Sequence, residues 1–203
     1  MNFYRVCQAL VCVALFSSSL IAIADEGSLE EIIVTATKRG DQNVQNIPAS
    51  IYVVGGAVNK EKAQFNLRDI ATSVPGLSFQ DLGPGDMEFI IRGVNGNGPA
   101  VVGSYFGEYV ITASDQQDGG GKNAPIKLFD MERVEVLNGP QGTLYGANSM
   151  AGNIRYIPRK AQTDAFDAYG DVDFSTTDSG GSGYTVSGGI NMPFITDKLA
   201  LRM

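Results

Sequence analysis

Phe129-Asp130-Met131-Glu132-Arg133-Val134-Glu135-Val136-Leu137-Asn138-Gly139-Pro140-Gln141-Gly142-Thr143-Leu144-Tyr145-Gly146 is the stretch that decides the fold. Val134 and Val136 alternate with Arg133 and Glu135, a period of two that buries one face of a strand over 133–137. Gly139-Pro140 ends that strand, because proline lacks a backbone donor and glycine accepts the turn. Gly142 and Gly146 bracket a tight helical turn over 141–145, expected to pack Leu144 and Tyr145 inward. Polar punctuation follows, and a further strand is expected over 153–157.

Upstream, 49–54 reads as a strand closed by Gly55-Gly56, and 57–65 has helical composition. Asn66 suits the N-cap of a helix over 67–73 with Leu67, Ile70 and Ala71 on one face, stopped by Val74-Pro75-Gly76. Strands are expected over 77–80 and 87–92 across the turn Gly83-Pro84-Gly85, and over 101–111 with a kink at Gly103. Mixed strands with few helices predict a small α+β domain over 46–160. Two polar, glycine-rich stretches, 94–99 and 112–124, are loops. They serve either as solvated connections or as binding loops on a rigid scaffold. Neither has the spacing of a phosphate cradle.

The 203 residues carry 15 Lys+Arg against 22 Asp+Glu, a net charge of −7 that is the wrong sign for a nucleic-acid backbone binder. There is no His, so imidazole bases and imidazole metal ligands are excluded. Residues 1–24 read as a cleaved export signal: Arg5, an apolar run over 6–16, and Ala22-Ile23-Ala24 before Asp25. Both cysteines, Cys7 and Cys12, lie inside it, so the exported chain has no thiol, disulfide or thiolate metal site. An enzyme would then need a Ser/Lys or paired-carboxylate site, and no such pair has recognisable context. No catalytic residue, cofactor or metal is expected.

Glu31-Ile32-Ile33-Val34-Thr35-Ala36 follows a short acidic leader, and 32–35 are all β-branched, which favours extended backbone. Polar flanks argue that it is not locked into a core. Two readings stand side by side: a strand offered to a partner's sheet edge, or an ordinary edge strand of the next domain.

The quoted stretch closely resembles the plug-domain signature of TonB-dependent outer-membrane receptors. Val74-Pro75-Gly76-Leu77, Ile91-Arg92-Gly93 and Ala151-Gly152-Asn153-Ile154 fall in that family's order and approximate spacing. Glu31, Ile32, Ile33, Val34, Thr35 and Ala36 resemble the TonB box, which in that family is handed as a strand to the periplasmic protein TonB. The resemblance implies a flexible segment over 25–45 with the box, then a plug over 46–160. It also implies that apical plug loops touch ligand, here Asn95, Asn97, Asp115, Gln116, Gln117 and Asp118. Arg92 is the expected plug–barrel contact, paired with a wall carboxylate. Two positions depart from the pattern. Asn138 stands where the family usually has Arg, which would loosen the plug, and Gly107-Glu108 replaces a common Asp-Gly turn.

From Ala165 the period is strictly two. Phe166, Ala168, Gly170, Val172 and Phe174 oppose Asp167, Tyr169, Asp171, Asp173 and Ser175. After a polar turn, Tyr184, Val186, Gly188, Ile190 and Met192 oppose Thr185, Ser187, Gly189 and Asn191. A tight connection over 194–197 leads to Leu199 and Leu201 against Arg202. A soluble hairpin with one wet face gives the same pattern, but the upstream resemblance selects a membrane barrel. Residues 165–203 then hold its first two to three antiparallel strands. A plugged transporter barrel has about 22 strands. The chain is therefore expected to be a truncated piece that does not transport by itself.

The function implied is TonB-energised uptake of a scarce, large nutrient across the outer membrane, an iron–siderophore complex by default. A carbohydrate or other nutrient is the alternative within the family. A free periplasmic plug, or a non-functional truncated product, is the alternative outside it. TonB, the outer membrane and the small-molecule nutrient are the expected partners, and nucleic acid is not.

Overall fold

The computed structural model describes residues 32–56, 66–83, 86–96, 100–112, 123 and 126–203. The expected export signal, Glu31, the expected helix over 57–65, Asn97 and Asp115 to Asp118 lie outside the described residues.

Twelve strands and two short helices make up the described chain, with a 3-10 turn at Val44–Asn46. A pair of two-residue strands comes first, β1 (Ile33–Val34) and β2 (Gln42–Asn43). Next are β3 (Ser50–Gly55) and helix α1 (Leu67–Ala71). Asn66 holds the N-cap position as expected, and its N–H donates to the Asp69 carboxylate at 3.0 Å. The hairpin β4 (Leu77–Gly83) and β5 (Asp86–Ile91) follows, then β6 (Val102–Phe106) and β7 (Tyr109–Val110). The deciding stretch forms β8 (Met131–Asn138) and helix α2 (Gly142–Tyr145), followed by β9 (Gly152–Pro158). A second sheet closes the chain: β10 (Asp167–Thr176), β11 (Ser182–Ile195) and β12 (Leu199–Arg202).

The central sheet has the order β3-β8-β9-β6-β7. Only β9–β6 is parallel, and its other pairings are antiparallel. Val134, Val136, Ile154 and Tyr156 turn one face toward α1 and the β4–β5 hairpin, where Ile70 and Ile91 join them in the main core. The opposite face carries a smaller cluster of Ala36, Tyr105, Leu137 and Tyr145. Strand β8 is thus covered on both faces, which is why Glu135 and Leu137 are buried as well as the two valines.

Two sequence expectations are corrected. The strand expected over 101–111 is a hairpin: Gly107 adopts φ +58° and the chain returns as β7, so the bend lies at Gly107 rather than Gly103. Gly103 is needed for closeness instead, since a Cβ there would sit 2.6 Å from the Asn153 side-chain oxygen. In α2 only Tyr145 packs inward, while Leu144 is 40% exposed. One turn of helix has a single inner face, and Tyr145 fills it.

The second sheet pairs Val172 with Val186 and Phe174 with Tyr184, the phase read from the sequence. These apolar side chains are exposed, Phe174 at 81% and Tyr184 at 77%. On β11 the polar set Thr185, Ser187, Gly189 and Asn191 is the more covered one. The polar face therefore looks toward the plug and the apolar face looks away, as a barrel wall requires. No helix among the described residues is long and apolar enough to cross a membrane, which says nothing of strands.

Gly152 marks a point of close backbone approach in the central sheet. It has φ +153°, and an added Cβ would fall on the Leu137 carbonyl oxygen and within 2.8 Å of Ile91. Backbone cannot yield as a side-chain tip can. Gly152→Ala is expected to cost about 1–3 kcal/mol, read as a lowered denaturation midpoint.

Candidate functional site

The residues resembling the box do not hang free. Ile32 and Ile33 are half-exposed, but Val34 is fully buried and Ala36 is 1% exposed. Strand β1 pairs with β2, and the Val44 N–H donates to the Ile32 carbonyl at 3.0 Å. The expectation of a segment outside any core is therefore corrected for Val34 to Ala36. Alternation explains the split: Val34 and Ala36 point to the plug, and the polar groups between them are taken up by buried partners.

Those partners sit on β8 and β9. The Thr35 N–H donates to Glu135 Oε1 at 3.2 Å, and Arg155 Nη1 donates to Thr35 Oγ1 at 3.1 Å. Arg155 Nη1 also donates to Glu135 Oε2 at 2.7 Å, and both side chains are buried. Register brings them together, since Glu135 and Arg155 are directly opposed in the β8–β9 ladder. Arg133 Nε adds 2.8 Å to Glu135, and Arg155 Nη2 reaches Glu108 in the β6–β7 turn at 2.5 Å. The departure at Gly107-Glu108 thus gives the buried arginine its second carboxylate.

Tyr145 closes the site. Its hydroxyl donates to the Ala36 carbonyl at 2.6 Å, and its ring meets Tyr105 edge-on at 5.1 Å. Tyr105 in turn donates to the Tyr145 carbonyl at 2.7 Å. Burial pushes the Tyr145 phenol up to about 12; Arg155 opposes the rise, and the Glu135 and Glu108 charges add to it. The phenol therefore keeps its proton and its donor role at physiological pH. Lys38, at φ +56°, lies 4.8 Å over the same ring and 3.5 Å from Glu108.

Of the expected ligand-contacting residues, only Asn95 is described. It is exposed after β5 and donates to Gln80 Oε1 at 3.5 Å. The ends of the longer loop are pinned by an antiparallel bridge between Thr112 and Asn123. Asn123 is buried, accepts from Ser104 Oγ at 2.7 Å, and donates through its backbone to the Met87 carbonyl at 3.0 Å. Thr112 and Asn123 are thus held in place, and residues 113–122 between them lie outside the described residues.

Arg92 is exposed at φ +54°, with its N–H bonded to the Gly76 carbonyl at 2.7 Å, and no ion pair is formed by it among the described residues. Asn138 is 7% exposed and turns into the plug, where Nδ2 lies 3.4 Å from Ser50 Oγ. Its Oδ1 is buried with no hydrogen-bond partner among the described residues. Among the described residues no group of three acidic residues is placed to hold a metal.

Residues 43–153 match the model of the TonB-dependent receptor plug domain. The chain belongs to this family. It is 32% identical over 151 residues to the iron-regulated outer membrane virulence protein of Vibrio cholerae, covering 73% of this chain and 23% of that protein. It is 30% identical over 165 residues to the vitamin B12 transporter BtuB of Vibrio vulnificus, covering 76% and 26%. Among solved structures, the ferripyoverdine receptor of the Pseudomonas aeruginosa outer membrane superposes with a TM-score of 0.59 at 22% identity. That match covers 83% of this chain and 23% of the receptor. The chain thus spans about a quarter of the relatives it matches.

The sequence pattern singles out residues 31–36 but not the side chains that hold Thr35 and Ala36, which are Glu135, Arg155 and Tyr145. The available signal was Glu135 set between Val134 and Val136 on one strand and Arg155 set between Ile154 and Tyr156 on another. Tyr145→Phe removes one hydroxyl and keeps the ring. Hydrogen exchange over 35–38 should rise about fivefold to tenfold, with little change in global stability. Glu135→Ala leaves Arg155 buried without its main partner and should cost about 3–5 kcal/mol in denaturant.

Proposed function

We propose that the chain is the N-terminal part of an outer-membrane receptor that takes up a scarce nutrient when TonB draws on residues 31–36. The observation that carries this reading is the half-seated box: Ile32 and Ile33 are accessible while Thr35 and Ala36 are held by plug side chains. A strand offered at one end and fastened at the other suits a segment that a partner's sheet edge takes up and pulls. Residues 1–24 would export the chain, 25–45 would carry the box, 46–160 would form the plug and 165–203 would begin the barrel wall. Exposed Phe174, Tyr184 and Val186 suit a lipid-facing surface in the outer membrane.

An iron–siderophore complex is the substrate class we favour, because relatives include an iron-regulated outer membrane protein and the catecholate siderophore receptor Fiu of Escherichia coli. Vitamin B12 and carbohydrate remain the alternatives, the former for its transporter among the relatives. Asn95, Asn97 and the 115–118 loop would offer amide and carboxylate contacts at the ligand side. No catalytic role is assigned.

Pull-down with the periplasmic domain of TonB tests the shared step. Ile33→Pro removes a backbone donor from the accessible strand and should abolish capture. Equal capture of both forms would count against strand pairing. Membrane fractionation then separates a receptor from a free periplasmic plug, which would stay soluble.

A further inference from the structure

The expected plug–wall contact was a plug arginine on a wall carboxylate. The described wall strands make the reverse contact. Arg202 on β12 donates from Nε and Nη2 to the two oxygens of Asp130 at 2.8 and 2.7 Å. Both side chains are largely covered, at 7% and 20% exposure. Tyr169 of β10 lies flat across Gly189, where a Cβ would fall 2.6 Å from its hydroxyl, and packs on Phe129 at 5.7 Å. Its ring also lies 5.4 Å from the Arg202 guanidinium. Asn191 clamps the connection from plug to wall, accepting from the Gln162 N–H at 2.9 Å and donating to the Gln162 and Ala165 carbonyls. Asp130 itself sits at φ +53°, a backbone conformation that Asp and Asn tolerate better than most residues.

We infer that Asp130 and Arg202, with Tyr169 and Asn191, form a strap that fixes the central plug sheet to the wall, leaving 32–47 as the part that can leave. The placement carries this. Asp130 precedes the start of β8, whereas the box is held at Glu135 in the middle of that strand, on the face of the smaller core cluster. The box and the strap share no residue, so opening one removes no contact of the other. Burial works to raise the Asp130 carboxyl, but hydrogen bonds from Arg202 and Tyr169 and the Arg202 and Arg159 charges hold it below its ordinary 3.8. The pair is therefore charged at physiological pH, with its stabilisation lost only as pH falls through that lowered value.

The mobile-segment half of this inference rests on the uptake reading, but its test uses no TonB. Hydrogen exchange is measured on the whole chain in detergent micelles, following the 159–166 connection, where the Arg159 N–H bonds to the Asp130 carbonyl and the Gln162 N–H to Asn191. Asp130→Asn keeps the backbone preference and removes the charge. Asp130→Asn and Arg202→Gln should each speed exchange there about tenfold, and the double variant no more than either alone. Protection of β8–β9 should stay unchanged, which separates a lost strap from a lost fold. Val34→Asp, which drives the buried box from its seat, should deprotect 32–47 and leave 159–166 as it was. Unchanged exchange in the single variants, additive effects in the double, or deprotection of 159–166 by Val34→Asp would each overturn the strap. Failure of TonB to capture the chain would sink the uptake reading and leave the strap standing.

Discussion

A carboxylate and a guanidinium buried against each other, Glu135 and Arg155, are the interaction on which the rest of this structure depends. Neither could be buried alone, since an unpaired charge in a sheet interior costs several kcal/mol. Each is therefore surrounded: Glu135 by Arg155, Arg133 and the Thr35 N–H, and Arg155 by Glu135, Glu108 and the Thr35 hydroxyl. Three distant parts of the chain converge on one cross-strand pair as a result. The β6–β7 turn supplies Glu108, the ladder supplies the pair, and the N-terminal segment supplies a backbone donor and a hydroxyl. A two-residue ladder such as β1–β2 would be marginal in water. The buried pair, with Tyr145 and the apolar contacts of Val34 and Ala36, gives that ladder a fixed place.

Much of this was legible in the sequence. The alternation of Val134 and Val136, the stop at Gly139-Pro140 and the turn before Gly146 are local signals, and each appears where its chemistry put it. The wall strands were legible for the same reason, because a period of two over ten residues admits few alternatives. What stayed hidden depends on register between strands far apart in the chain. Nothing local says that Glu135 faces Arg155, or that position 36 would be roofed by Tyr145, 109 residues away. The reading of 101–111 failed at a comparable point. Both Gly103 and Gly107 can bend a strand, and only the neighbours Asn153 and Ser149 show that Gly103 is there for closeness.

The contact between Asp130 and Arg202 was hidden for a further reason. Arg92 was singled out by family pattern, whereas Asp130 and Arg202 are ordinary surface types whose pairing exists only once β12 is laid beside the plug. The phase of the wall strands makes that pairing possible. Tyr169, Asn191 and Arg202 all lie on the polar side of their strands, with Asp167, Asn191 and Arg202 in one cross-strand row. A shift of one residue would send all of them to the outer face together. The alternation that keeps apolar side chains outward therefore also sets the polar contacts to the plug.

Relative strengths then decide which part of the plug yields to tension at residue 32. Leaving the seat breaks the short β1–β2 ladder, the three side-chain bonds to Thr35 and Ala36, and the burial of Val34 and Ala36. Each such hydrogen bond is worth about 1 kcal/mol net. Extracting the central sheet would instead expose Val134, Val136, Ile154, Tyr156, Ile70 and Ile91 together, at about 1.5–3 kcal/mol for each aliphatic side chain. It would also pull against the Asp130–Arg202 pair. Among the described residues the segment before β3 is therefore held more weakly than the central sheet, and it begins with the accessible Ile32 and Ile33.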